Sequence, residues 1–289
     1  MTFIEGLQGS PVFLTFALAV FGLLLGSFLN VVILRLPRMM ELAWKRECRE
    51  LLELPQEPQE RFSLMYPPSR CPSCGAGVKP WQNVPVLSWL ALRGRCAGCR
   101  SPISIQYPLV EAASGLLSAI CAWHFGWGPQ LAGALLLTWA LIALAVIDLR
   151  TMLLPDSITQ PLLWLGLAAA LLPVFTDLRS ALLGAIMGYL SLWLVYHLFR
   201  LVTGKEGMGY GDFKLLAALG AWLGWQALPM IVLLSSLVGA VVGIGLVLLR
   251  RHGREVPIPF GPYLAAAGWL SLVCGDTLQG LYLNAAGLR

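Results

Sequence analysis

Long apolar stretches, broken by short polar ones, make up most of this chain. A bilayer crossing needs about 20 mostly apolar residues. Eight segments meet that standard, approximately 12–34, 108–126, 130–149, 158–176, 180–200, 213–229, 230–249 and 260–280. The sixth and seventh join tightly around Pro229. Eight such helices leave little room for strands, so the pattern predicts an all-α polytopic membrane protein of about eight transmembrane helices. The start of the chain lacks the basic region and small-residue cleavage site of a removable signal peptide, and the first span is expected to be retained.

Residues 35–107 break the pattern. They are polar, rich in proline, and carry Cys71, Cys74, Cys96 and Cys99. The expected organisation is therefore a first transmembrane helix (1–34), an inserted polar domain (35–107) and a seven-helix membrane domain (108–289). Within the insertion, Glu41 to Glu60 holds six glutamates against Lys45, Arg46 and Arg49. The loose spacing of Leu42, Leu51, Leu52 and Leu54 predicts a short helix there.

Composition sharpens this picture. Hydrophobic residues make up 57% of the 289 and charged ones 12%, where a soluble domain would carry roughly 25% charged residues. With a mean hydropathy of +0.73, a soluble enzyme, a disordered chain and a fibrous protein are excluded. The net charge of +5 matters through its placement, since 11 of the 20 Lys and Arg residues fall between Arg35 and Arg100. With residues 1–11 outside, Arg35 through Arg100, Arg150, Arg200, Lys205, Lys214, Arg250, Arg251 and Arg254 lie inside. Only Arg179 and Arg289 then lie outside, a division of 18 to 2. The positive-inside rule selects that topology and makes the insertion cytoplasmic.

Cys71-Pro-Ser-Cys74 and Cys96-Ala-Gly-Cys99 are two CxxC knuckles separated by 21 residues. Two thiolate pairs of this spacing can close a tetrahedral shell around zinc. Two disulfides are the competing reading, disfavoured in a reducing compartment; a redox CxxC needs only one pair. Four thiolates leave no open position for water, so the insertion reads as zinc-ribbon-like and its metal as structural. Cys48, Cys121 and Cys274 read as ordinary.

Acids within spans are costly, about 2.5–3.5 kcal/mol for Asp on insertion scales, and point to function. Asp148 closes the third span and Asp212, in Gly209-Tyr-Gly211-Asp212, opens the sixth. In the topology above both sit at the same cytoplasmic depth. Two carboxylates brought together there can share a proton, one acting as base on water and the other as acid. Competing structural readings pair Asp148 with Arg150 and make Asp212 an N-cap beside Lys214. Asp156 reads as a cap of the fourth helix, and Glu111 as structural or as assisting the site. His124 and His197 read as bundle contacts, and His252 as part of a basic loop.

A series of motifs runs in order along the chain: Gly26-Ser-Phe-Leu-Asn30-Val-Val-Ile-Leu-Arg35-Leu-Pro37, Arg70-Cys71-Pro-Ser-Cys74, Trp81-Gln-Asn83-Val-Pro85 and Gly94-Arg-Cys96-Ala-Gly-Cys99. Tyr107-Pro-Leu-Val-Glu111, Asp148-Leu-Arg-Thr-Met-Leu-Leu-Pro155-Asp156, Gly209-Tyr-Gly211-Asp212 and Pro259-Phe-Gly-Pro262 complete it. In these motifs the chain resembles the type IV prepilin peptidases. The resemblance implies that Asp148 and Asp212 are the catalytic pair and that Cys71, Cys74, Cys96 and Cys99 bind zinc. It implies cleavage of prepilins and pseudopilins after the Gly of a short basic leader, at the cytoplasmic face of the bacterial inner membrane. It further implies N-methylation of the new terminus from S-adenosylmethionine. No strand-plus-GxGxxG unit is present, so that donor's site is unconventional; Gly94 is a candidate contributor. The implied partners are these substrates and the lipid bilayer, with no nucleic acid. Two rival readings are a proton-coupled transporter, whose acids would sit at repeat-related midplane positions, and a non-enzymatic zinc-containing scaffold.

Overall fold

The computed structural model describes residues 9–55, 61–248 and 258–285. Glu57, Glu60, Arg250, Arg251, His252, Arg254, Arg289 and residues 1–8 of the segment expected outside lie beyond the described residues. Among the described residues each apolar segment of the sequence is helical over most of its length. In chain order the helices are α1 (Pro11–Leu51), the short α2 (Leu87–Ala91), α3 (Gln106–Phe125), α4 (Pro129–Thr151) and α5 (Asp156–Ala170). They continue with α6 (Leu178–Thr203), α7 (Tyr210–Leu223), α8 (Leu228–Leu248) and α9 (Gly261–Ala285). Among the described residues there is no β-strand, only two isolated bridges, Arg70 with Gly77 and Arg95 with Pro102.

The expected eight crossings are not all met by length and composition. Among the described residues four helices are long and apolar enough: Pro11–Leu51, Pro129–Thr151, Leu178–Thr203 and Trp225–Leu246. Helices α5 and α7 have 15 and 14 residues, spanning about 21–23 Å at 1.5 Å per residue, short of the roughly 30 Å hydrocarbon core. Helices α3 and α9 dilute their apolar runs with polar residues and glycine, and α9 is kinked at Cys274.

Helix α1 also departs from expectation. Ser10 caps its start by accepting from Phe13 N at 3.3 Å, with Pro11 at the first helical position, where its missing N–H is harmless. The helix does not stop near residue 34 but runs through Pro37 to Leu51. Glu41 links Arg38 at 2.7 Å and Lys45 at 2.6 Å, the i,i+3 and i,i+4 pairs that support an exposed helix. The short helix expected in the acidic stretch is thus the far end of α1.

The chain divides into two compact units, Met1–Trp127 and Gly128–Arg289. In the first, α1 lies against α3 through small residues. A Cβ on Gly26 would come within 2.7 Å of Glu111 Cα, and one on Gly22 within 2.7 Å of Ser114 O. Such contacts let membrane helices pack closely without a hydrophobic drive from lipid. Buried Asn30 donates to Gly26 O and Tyr107 O. Below it, the Arg35 guanidinium donates to the carbonyls of Ser63, Leu64 and Pro67 at 3.0, 3.3 and 2.6 Å, fastening the insertion to α1.

In the second unit α7 is the core. Every residue from Leu215 to Trp222 is buried, matching its all-round apolar sequence. Gly184 and Gly220 meet backbone to backbone, and Gly188 faces Leu216 O. Trp222 lies over Gly166 and donates from Nε1 to Leu162 O at 2.8 Å. Gly268 of α9 receives Leu219. Trp269 Nε1 donates to Thr138 Oγ1 of α4 at 3.0 Å. Neighbouring helices, not its own length, hold α7 in place.

Candidate functional site

The second unit brings Asp148 and Asp212 together. Asp148 sits in the last turn of α4, which Met152 ends in a left-handed conformation while donating to Asp148 O. Asp212 is in the first turn of α7. Their residues are only 5% and 6% exposed, and the carboxylates lie close enough to repel through space when both are charged.

The pair is held by glycines. Gly261, at the start of α9, donates its N–H to Asp148 Oδ2 at 3.0 Å. A Cβ there would fall 2.6 Å from that oxygen, so any other residue would displace the carboxylate. Leu154, on the loop after α4, is in tight contact with Gly211 and Gly261 alike: a Cβ on Gly211 would fall 2.7 Å from Leu154 Cβ. The Oδ1 of Asp212 is buried with no hydrogen-bond partner, an orphan acceptor of the kind that asks for an explanation in function.

The competing structural readings find other partners. The N-cap of α7 is Gly209, with no side-chain cap. Lys214 Nζ binds both carboxylate oxygens of Asp156 at 2.7 Å. Pro155 occupies the N-cap position of α5, so Asp156 serves as an ion-pair partner in its first turn. Asp148 turns into the core toward Gly261. The Gly261 donor and the Leu154 spacer were not assigned from sequence; the Pro259-Phe-Gly-Pro262 motif was the only signal of the former.

In the first unit the four cysteines converge, their Sγ atoms all within 4.8 Å of one another. A tetrahedral zinc with 2.3 Å Zn–S bonds sets sulfurs about 3.8 Å apart. Cys71 and Cys99 Sγ are 3.8 Å apart. Each knuckle is a small bridged turn: Cys71 N donates to Ala76 O at 2.9 Å and Cys96 N to Ser101 O at 2.8 Å. The residue after each second cysteine has positive φ, glycine at 75 and arginine at 100. Ser101 Oγ lies 3.1 Å from Cys99 Sγ and 3.6 Å from Cys71 Sγ.

The backbone N–H of Cys74 and the Ser101 hydroxyl draw the Cys71 thiol down to about 6. The Ala76 N–H favours the Cys74 thiolate, but the neighbouring Cys99 and Cys71 sulfurs outweigh it and push Cys74 up to about 11. Such crowding resists ionisation of all four sulfurs unless a cation sits among them, and the donor set fits zinc. Gly94, at φ +66, packs on the Trp89 ring, two residues before Cys96.

Of the remaining candidates, Glu111 is buried and accepts from Val86 N at 2.7 Å. His124 packs edge-on to Phe125, and His197 lies between Trp193 and Tyr196. Cys121 is buried, and Cys48 and Cys274 are exposed.

Comparison with known proteins follows the same division. The Bacterial Peptidase A24 N-terminal domain matches residues 20–125, and the Type IV leader peptidase family matches residues 135–244. A prepilin leader peptidase/N-methyltransferase of Stutzerimonas stutzeri is 55% identical over 289 residues, covering all of both chains. Proteins of the same description from Pseudomonas aeruginosa, 53% identical over the full length of both chains, and Aeromonas salmonicida, 57% identical over 91% of this chain and 92% of its own, are also similar. No solved structure matches. With full-length relatives at this identity, and an aspartate pair within the matched peptidase segment, the chain belongs to the type IV leader peptidase family.

Proposed function

We propose that this protein removes the leader of prepilins and pseudopilins and then N-methylates the exposed terminus, as a multi-pass protein of the bacterial inner membrane working at its cytoplasmic face. The observation that carries the peptidase reading is the approach of Asp148 and Asp212, two buried carboxylates from different helices, with one oxygen of the first fixed by Gly261 N–H. The pair shares one proton. One carboxylate takes a proton from water as its oxygen attacks the scissile carbonyl carbon. The other donates to the carbonyl oxygen and, as the tetrahedral intermediate collapses, a proton reaches the leaving amine. The Gly261 N–H fixes the orientation of the Asp148 carboxylate. The substrate is a short basic leader ending in Gly, followed by an apolar helix whose end meets the pair at the membrane face.

Cys71, Cys74, Cys96 and Cys99 would hold zinc as a structural element of the insertion, with Ser101 beside Cys71 and Cys99. S-adenosylmethionine supplies the methyl group to the new α-amine; Gly94 is the residue proposed near that reaction. A transporter has no use for two acids at one end of its helices, and a scaffold has none for two buried acids of which one is held by a backbone donor.

The test is to incubate the purified full-length protein with a Gly-terminated basic leader fused to an apolar helix. Mass spectrometry should find the leader removed, and a single methyl added only when S-adenosylmethionine is supplied. An uncut substrate would overturn the peptidase reading.

A further inference from the structure

Val86 has φ 59° and ψ −49°, and Leu87 N donates to Pro85 O at 2.5 Å. This is the strained γ-turn, rare for any residue and most unfavourable for a β-branched one. Such strain persists only where the surroundings over-determine it, and it is a pointer to function.

What holds the turn is Glu111. Its Oε2 accepts the Val86 N–H at 2.7 Å. The glutamate is 7% exposed, and its backbone is fixed where Gly26 of α1 meets its Cα. From Val86 the contacts continue in one direction. The turn starts α2, whose Trp89 donates from Nε1 to Ile103 O at 3.2 Å. Trp89 O accepts from Gly94 N at 2.9 Å, and Gly94 O accepts from Ile103 N at 2.7 Å. The Trp89 ring is so close to Gly94 that a Cβ there would fall 2.8 Å away. The next residues, Arg95 to Pro102, form the second cysteine knuckle.

We propose that Glu111 is a positioning residue for methyl transfer. Its carboxylate holds the Val86 turn and, through Trp89, sets the Gly94–Cys96 arm in the shape that reaction needs. This rests on the methyltransferase reading and on Gly94 as a contributor to it. It separates the two activities, because Asp148, Asp212, Gly261 and Leu154 all belong to the second unit while this chain of contacts lies wholly in the first.

The experiment uses the full-length protein with two assays, cleavage of a prepilin and methylation of a peptide already cut at its Gly. Glu111→Ala should lower methylation about 10–100-fold, the usual effect of removing a supporting group, with cleavage within about threefold. Glu111→Gln retains an acceptor oxygen for Val86 N–H and should methylate near the level of the unaltered protein. Val86→Gly adopts the turn without strain; combined with Glu111→Ala it should restore methylation. A Glu111→Gln protein as defective as Glu111→Ala would overturn the proposal, because charge and not position would then matter. Failure of Val86→Gly to restore activity would overturn it too. Unaltered protein that cleaves but does not methylate would overturn the methyltransferase reading and this proposal with it, a result distinct from the other two.

Discussion

Asparagine is nearly isosteric with aspartate but can neither take a proton from water nor give one to a leaving amine. Asp148→Asn and Asp212→Asn should each lower leader cleavage by at least the roughly 10²–10⁴-fold of lost acid–base catalysis. The double variant should be no worse than either single one, since the two act as a unit. Methylation of a pre-cut peptide should persist in all three. Cleavage should follow a bell-shaped pH profile whose limbs belong to the pair and not to one residue each. Gly261→Ala keeps both acids but places a methyl group 2.6 Å from Asp148 Oδ2. Losing that charge-assisted bond should reduce cleavage about 10–100-fold, and normal cleavage would mean that Gly261 has no part in the site. At this scale the sequence was most legible for chemistry-bearing residues. An acid in an apolar run and a CxxC pair each stand out against their surroundings. The backbone donor of Gly261 and the turn at Val86 do not, since neither N–H leaves a mark on residue type.

The elements repeat that lesson in another form. Each apolar run forms a helix over most of its length, yet α5 and α7 are shorter than a crossing needs. The pattern cannot distinguish apolar residues that face lipid from those that face other helices, and α7 is enclosed by its neighbours. Glycine is what permits the enclosure. Gly220→Ala sets a Cβ against the backbone of Gly184 and should lower stability by about 1–3 kcal/mol, the usual penalty of overpacking, seen as a lower melting temperature in detergent. The cysteine knuckles allow a second test. Cys71→Ser with Cys74→Ser leaves half a site, which holds metal poorly; zinc content should fall and methylation suffer at least as much as cleavage. Purified native protein without zinc, prepared free of chelator, would contradict the metal reading. Arg100 occupies with φ 59° the position that Gly75 fills in the other knuckle. Arg100→Gly should therefore stabilise the metal-bound insertion by about 1 kcal/mol, measured as slower zinc release to a chelator.

For the molecule as a whole, charge placement bears on how substrate arrives. The acidic stretch that includes exposed Glu50 and Glu53 would attract a basic leader through long-range forces. Neutralising Glu50, Glu53, Glu57 and Glu60 should raise the apparent KM, chiefly at low ionic strength, and an unchanged KM in low salt would discard the idea. That α1 carries Glu41 through Glu50 on one unbroken helix was not legible in the pattern, because the apolar run ends near residue 34 and the helix continues on polar residues supported by the ion pairs of Glu41.

That unbroken helix acts as a mast. From Arg35 to Leu51 it rises about 24 Å at 1.5 Å per residue, some three screening lengths of about 8 Å at physiological salt. In the proposed topology Arg35 lies at the membrane face, and a helix along the membrane normal would hold exposed Glu50 and Glu53 about that far from the headgroups. These glutamates can draw in a leader still in bulk solvent but exert little pull on one already lying on the bilayer. Salt should accordingly alter the rate at which free substrate is recruited, and leave almost untouched the turnover of substrate inserted beforehand into the same membrane.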